Sequence, residues 1–369
     1  MRASKIVSFS IVILLITILF TGAVTVPAAA QSDMMMFRYN AQHTGDYSPV
    51  AGNNTSKGLL TWSFTTGNTV FSSPAVVNGV IYVGSYDNNV YAINATTGAK
   101  LWSFTTGNYV LSSPAVVNGV VYVGSDDNNT YAINATTGAK LWSFTTGNYV
   151  LSSPAVANGV VYVGSDDNNT YALNATTGAK LWNYTTGNYV RSSPAVANGV
   201  VYVGSDDNNT YALNATTGAK LWNYTTGNAV LSSPAVVNGT VYVGSYDSNI
   251  YALNATTGTK LWNYTTGGDV YSSPAVANGT VYVGSSDNNV YALNATTGKV
   301  TWSFTTGDYV LSSPAVSNGE VYVGSVDGNI YAIGNAAAAT SQGTTPGFDV
   351  ILAFFGLVIA AYVVRRRRS

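Results

Sequence analysis

The chain has 369 residues, of which only 8% are charged, with no cysteine, one histidine (His43) and a formal net charge of −1. An ordinary soluble protein carries roughly 25% charged residues, so this composition is unusual, and it excludes disulfides, thiolate metal sites and multi-histidine clusters. It removes the commonest agent of acid–base catalysis, and it offers no basic face to a nucleic acid.

Residues 1–30 open with Arg2 and Lys5, run apolar from Ile6 to Phe20 and end in Val26-Pro27-Ala28-Ala29-Ala30. A basic start, an apolar middle and a small-residue cleavage site read as a secretory signal peptide cut before Gln31. The competing reading is an uncleaved anchor, because apolar residues continue toward Val24. Residues 31–58 are a lead-in expected to lie over the repeats that follow. A lone His43 in such a segment reads as a packed or capping side chain, not a catalyst.

Residues 59–334 are one unit copied with a period of 40: Trp62, Trp102, Trp142, Trp182, Trp222, Trp262 and Trp302 are the only tryptophans. Ser-Ser-Pro recurs in the same register from Ser72-Ser73-Pro74 to Ser312-Ser313-Pro314. Residues 141–180 and 181–220 differ only at Ser143/Asn183, Phe144/Tyr184 and Leu151/Arg191. A period of this length, rich in β-branched and aromatic residues, indicates a propeller blade or another β repeat.

Turn chemistry divides each copy into four strands. In one copy the first strand runs from Ser112 to Val117, with Pro114 at its start where a missing N–H is tolerated. Asn118-Gly119 is a strong two-residue hairpin signal, and 120–124 follows as a second, fully apolar strand. Asp127-Asn128-Asn129 predicts the next turn, at which Asn tolerates positive φ. Tyr131-Ala132-Ile133 is the third strand. Thr137-Gly138 turns the chain into the fourth, 141–145, which alternates as a half-buried strand does. No stretch has helical periodicity, so the fold class is all-β.

The first Trp-bearing fourth strand, 60–65, precedes any first strand, and the last copy stops after Ile333. One blade is therefore divided between the chain ends. Pairing the N-terminal strand with the three C-terminal strands gives a closed seven-bladed β-propeller of four-stranded blades and removes the exposed edges. The rival is an open β-solenoid with an orphan strand at each end.

Strand parity puts the first-to-second and third-to-fourth turns on one face of the ring. The fourth-to-first connections and second-to-third turns lie on the other. Variation among the copies gathers on that second face, at Phe71, Tyr86, Tyr109, Tyr149, Tyr189, Arg191, Tyr246, Asp269, Tyr271, Asp308 and Tyr309. Tyrosine is rigid and amphipathic, an interface residue, so this face is a candidate for binding a carbohydrate, a peptide or a neighbouring surface protein. Drift in permissive loops produces the same variation.

Residues 335–345 read as a flexible Ala/Ser/Thr/Gly linker. Residues 31–345 carry 9 Lys and Arg against 15 Asp and Glu, an acidic excess that disfavours anionic lipid and DNA. The tail, 346–369, begins Pro346-Gly347-Phe348. It continues with an apolar stretch over 350–364, about 22 Å long as a helix and short of a ~30 Å hydrocarbon core, and then Arg365 to Arg368. Those arginines keep this end cytoplasmic and leave the rest outside.

That tail resembles the PGF-CTERM sorting signal of archaeal surface proteins. The resemblance implies export, processing by an archaeosortase-like enzyme and a lipid anchor at the membrane. The repeat has a likeness of its own. Ala132-x-Asn134-x-x-Thr137-Gly138-x-x-x-Trp142, present six times, resembles the motif of pyrroloquinoline-quinone-like (PQQ-like) propellers. There the resemblance implies that Trp docks between blades and that Gly makes the turn behind it. Those roles carry to the seven tryptophans, Trp62 by register only, and to Gly98, Gly138, Gly178, Gly218, Gly258 and Gly298. Asn stands where the family has Asp.

Quinoprotein dehydrogenases of that fold use calcium, carboxylate ligands and an Asp base, and many carry a vicinal disulfide. This chain, with no cysteine and Glu320 as its one Glu, is expected to use neither PQQ nor Ca²⁺ and to be no enzyme. Asp126-Asp127, Asp166-Asp167 and Asp206-Asp207 are oxygen donors of the kind Ca²⁺ favours, but turn formation accounts for them. The expected function is a surface-anchored binding or scaffold module. The alternatives are a quinone-dependent dehydrogenase, a structural envelope glycoprotein, or an assembly scaffold like the lipoprotein of the bacterial outer-membrane β-barrel machinery. Sequons at Asn94, Asn134, Asn174, Asn214, Asn254 and Asn294, with ten others, predict N-glycosylation; Asn and Thr are also ordinary turn and strand formers.

Overall fold

Each Asn-Gly pair turns the chain where its chemistry requires. Asn118 has φ 50° and Gly119 φ 74°, the positive pair that matches hairpin twist to strand twist. The second-to-third turn places Asn128, Asn168 and Asn208 near φ 71°, and the seventh copy substitutes Gly328 at φ 88°. The computed structural model describes residues 34–35, 40, 42–43, 61–317 and 319–334; the signal-peptide, linker and sorting-tail readings lie outside them. Among the described residues no helix is long and apolar enough to cross a membrane.

The architecture is a seven-bladed β-propeller. The blade over 155–185 shows the pattern: Ala155–Ala157 pairs with Val160–Gly164, which pairs with Asn169–Asn174, which pairs with Lys180–Thr185, all antiparallel. A register shift between Ala172 and Leu173 leaves Leu181 of the outer strand without a partner across the ladder. The short first strands are innermost and meet their neighbours around the axis. There the Ser113 N–H donates to Ser153 Oγ at 3.0 Å, and the Ser153 N–H to Ser193 Oγ at 2.9 Å. Val161, Val163 and Leu173 are fully buried between blades, each contributing about 1.5–3 kcal/mol.

The tryptophans dock blade to blade. Trp142 Nε1 donates to Ala175 O at 2.9 Å in the following blade, and Tyr122 OH donates to the same carbonyl at 3.1 Å. A Cβ on Gly178 would stand 2.7 Å from the Trp142 ring, and the residue has φ 72°, so both space and conformation require glycine. Trp62 docks in the same way, with Nε1 3.0 Å from Ala95 O, which gives its register match a contact. The counterpart of this contact for Trp302 falls outside the described residues.

The lead-in, expected to lie over the repeats, engages them by specific backbone pairing. Met34–Met35 pairs antiparallel with the innermost strand Ala115–Val117, Gln42 Nε2 donates to Val196 O at 3.0 Å, and the Val236 N–H donates to Gln42 O at 2.9 Å. The described lead-in residues thus bond to the innermost strands of three blades, and His43 is fully buried.

At the clasp, the seventh sheet holds three strands, Ala315–Ser317, Glu320–Gly324 and Ile330–Gly334. Residues 61–66 run without a ladder among the described residues. They hold to the first blade through Trp62 and the edge-on Phe64–Tyr91 pair. Ile330 is 45% exposed, whereas the equivalent Val90 is fully buried. Six outer strands are delivered by a tight turn from their own third strand. The seventh must come from the far end of the chain, against loop-closure entropy.

Candidate ligand-binding face

Sidedness follows parity. The Ala135 N–H donates to Gly119 O at 2.9 Å, joining the two turns of one face, and the Asp126 N–H donates to Tyr109 O at 2.9 Å, joining the two connections of the other. The varied residues lie on the second face.

The Asp found in every one of these turns, Asp127 in the second copy, has a role that the sequence pattern conceals. Asp127 Oδ2 accepts from the Gly107 N–H at 2.6 Å and from Tyr131 OH at 2.6 Å, while Oδ1 accepts from the Asn129 N–H at 3.0 Å. The same set forms at Asp167, Asp207 and Asp247. Burial pushes the Asp247 carboxyl up, but hydrogen bonds from Tyr251, Gly227 and Asn249 outweigh it and hold the group below its ordinary value. An Asp at this position in all seven copies was the available signal, masked by the residue's ordinary use in turns.

The first Asp of the pair behaves differently. Asp166 is 5% exposed and receives Arg191 twice: Nη2 to Oδ2 at 3.1 Å and Nε to Oδ1 at 3.2 Å. Arg191 Nη1 also lies 3.4 Å from Asp206 Oδ2, and its guanidinium sits 4.7 Å above the Tyr189 ring, a cation–π distance. Tyr246 and Tyr271 continue the cluster, with ring centres 5.9 Å apart. On the opposite arc, Tyr86 is edge-on to Phe71 at 4.7 Å and to Tyr109 at 4.5 Å.

The remaining candidates are more dispersed. Tyr149 and Tyr309 stand 45% and 41% exposed. Asp269 is exposed and acts electrostatically on Tyr246. Asp308 caps its own turn, with Oδ1 2.8 Å from the Tyr309 N–H, as Asn108 does for Tyr109. The face therefore holds one charged aromatic cluster, one aromatic cluster and several separate rings.

The second Asp of each pair is engaged in its turn, Asp166 and Asp206 flank a guanidinium, and among the described residues no three His, Cys, Asp or Glu side chains converge on a metal position.

Asp126 lacks an arginine. Burial, followed by Asp166 and Asp127, pushes its carboxyl up to about 6. A raised folded-state value means that stability from this site is fully present below the unfolded value near 4 and is lost as pH rises through about 6. Asp126→Asn is therefore expected to stabilise the protein at pH 7–8 by about 1–2 kcal/mol, solvent screening at this half-buried site reducing the full value, with no gain at pH 4. Thermal melts of both proteins from pH 4 to 8 read this directly, and equal melting differences at both ends contradict it.

Comparison with known proteins completes the picture. Residues 157–347, more than half of the chain, match the family described as Beta-alanine-activating enzyme, beta-propeller. Residues 43–114 and 89–190 match the outer membrane protein assembly factor BamB. The PGF-CTERM motif matches residues 345–367, which include Pro346, Gly347 and Phe348 and mark a C-terminally anchored archaeal cell-surface protein. No curated protein matches.

Among solved structures, BamB from Moraxella catarrhalis superposes with TM-score 0.66 at 20% identity, covering 73% of this chain and 87% of that one. The computationally designed Ika8 protein gives 0.65 at 17%, covering 70% and 82%. Quinohemoprotein alcohol dehydrogenase ADHIIG from Pseudomonas putida HK5 gives 0.58 at 17%, covering 68% and 61%. At these identities the likeness is one of fold. The repeats, the blade-docking tryptophans and the extent of the family match lead to one assignment: the chain belongs to the PQQ-like β-propellers, in the family described as Beta-alanine-activating enzyme, beta-propeller.

Proposed function

We propose that this protein is a non-catalytic, surface-anchored binding module whose second-to-third-turn face takes a protein or glycan partner. The observation that carries the reading is the set of tyrosines on that face: Tyr109, Tyr149, Tyr189, Tyr271 and Tyr309 are each 38–45% exposed. Rigid aromatic surface of this kind supplies contact area at little entropic cost. The PGF-CTERM match supports tethering at the membrane, with Pro346-Gly347-Phe348 as the processing signal for an archaeosortase-like enzyme and a lipid replacing the apolar tail. A tether there leaves the propeller free to engage surface proteins or glycans.

The test is capture from isolated native envelopes with the propeller as bait. Replacing Tyr109, Tyr149, Tyr189 and Tyr309 together by Ser is expected to reduce capture of the specific partner at least about tenfold, roughly 1.4 kcal/mol. Each ring is more than half covered, and Tyr189 lies under the Arg191 guanidinium, so capture is compared at a temperature at which a thermal melt shows the variant fully folded. Undiminished capture by the quadruple variant removes this face from the proposal. The dehydrogenase reading has only a shared fold behind it; adding quinone, Ca²⁺ and an alcohol is expected to give no dye reduction.

A further inference from the structure

The sixteen sequons of this chain are not equivalent in the folded protein. At Asn128, Asn168 and Asn208 the hydroxyl residue two positions on (Thr130, Thr170, Thr210) is fully buried. At Asn94 and its five counterparts the asparagine is half-buried and locked: Asn94 Oδ1 accepts from the Thr96 and Thr97 N–H groups at 2.9 Å, and its backbone closes the turn to Ala99 and Gly98. Asn183, Asn223 and Asn263 are exposed, but each Nδ2 donates at 3.0 Å to an asparagine on the adjacent strand. Asn53 and Asn54 lie outside the described residues.

Two sites differ from all of these. Asn238-Gly239-Thr240 and Asn278-Gly279-Thr280 occupy the tips of the innermost hairpins of adjacent blades. Both asparagines are exposed, both have φ 49°, and both threonines are half-exposed. A Cβ at Gly239 or Gly279 would meet nothing within 4 Å, so the tips stand clear of the body. The sequons exist because Thr240 and Thr280 replace the Val found at 80, 120, 160 and 200. Thr is a neutral exchange in a half-exposed strand position, so the backbone of the hairpin is unchanged.

The geometry points to Asn238 and Asn278 as N-glycan attachment sites that are available in the folded protein. The donor is a polyprenyl-phosphate-linked glycan. The Asn Nδ2 forms a bond to the anomeric carbon while the bond from that carbon to the phosphate oxygen breaks. The lipid phosphate leaves with the electron pair, and the amide proton passes to a base of the transferase. Both tips lie on the face opposite the tyrosines, so glycans there leave the other face uncovered. The inference does not depend on that face binding anything.

Glycopeptide mass spectrometry of the full chain purified from its native cells tests it. The peptides holding Asn238 and Asn278 are expected to carry glycan. Thr240→Val and Thr280→Val, which restore the residue of the other blades and so preserve folding, should each remove one glycan mass. Val200→Thr, which completes a sequon at the equally exposed Asn198 tip, should add one. Bare Asn238 and Asn278 in the native protein overturn the inference. So does a Val200→Thr protein with no added mass, because tip geometry would then not be what admits the transferase.

Discussion

Trp222→Ala is expected to lower the unfolding free energy by about 3–5 kcal/mol, the range for removing a buried aromatic side chain. The indole is 9% exposed, donates to Ala255 O at 3.0 Å and lies 5.8 Å from the Tyr202 ring. Tyr202 OH also donates to Ala255 O at 3.0 Å, so the carbonyl keeps a partner and the loss is mainly cavity. Gly258→Ala attacks the same interface from the other side. Its Cβ would fall 2.6 Å from the indole, and the residue sits at φ 72°.

The two changes should couple. In the Trp222→Ala background the cavity admits the extra methyl, so Gly258→Ala then costs only its backbone strain, about 1 kcal/mol. A coupling energy of about 1–3 kcal/mol by equilibrium urea unfolding is the expected outcome. Strict additivity would mean that ring and glycine do not share one interface.

The blades themselves were legible because one unit is written repeatedly, and period, Asn-Gly turns and Trp register all agreed on it. The Trp–Gly docking was likewise available from a local motif, although its partners belong to different blades. What escaped reading joins residues with no common pattern. Gln42 reaches Val196 across 154 positions, and the Met34–Met35 strand adds to a free inner edge that no periodicity announces. The clamp at Arg191 was hidden for a related reason. The position was visible as a break in the repeat, but of its acceptors Asp166 lies in the preceding copy and Asp206 fifteen positions on in its own, and both read as turn formers.

Sequon availability was hidden too. The tripeptide at Asn128 and the one at Asn238 satisfy the same rule, and only the fold buries the threonine of one and exposes the asparagine of the other. Composition identifies candidates for chemistry; burial decides which of them can react.

Arg191→Leu places at this position the residue that four other copies carry there, yet it is expected to destabilise the protein at neutral pH by about 2–4 kcal/mol. Leu111, Leu151, Leu231 and Leu311 are tolerated in their own blades. At 191, however, the guanidinium answers a carboxylate that is 95% buried, since Asp166 is 5% exposed. Arg191 itself is 35% exposed, and solvent screening favours the lower part of the range.

Removing the arginine leaves the buried Asp166 carboxylate beside Asp126 and Asp206 with no cation between them; burial already pushes the Asp206 carboxyl up against the pull of Arg191, and that pull is lost too. With Arg191 gone the Asp206 carboxyl is raised further, so the defect should be largest at pH 8 and shrink toward pH 4. Asp166→Asn in the Arg191→Leu background should recover most of the loss at pH 8, because an amide at that site carries no charge to bury. A pH-independent loss that Asp166→Asn does not repair would show that Arg191 acts through packing of its stem against Tyr189 rather than through the carboxylates it bridges.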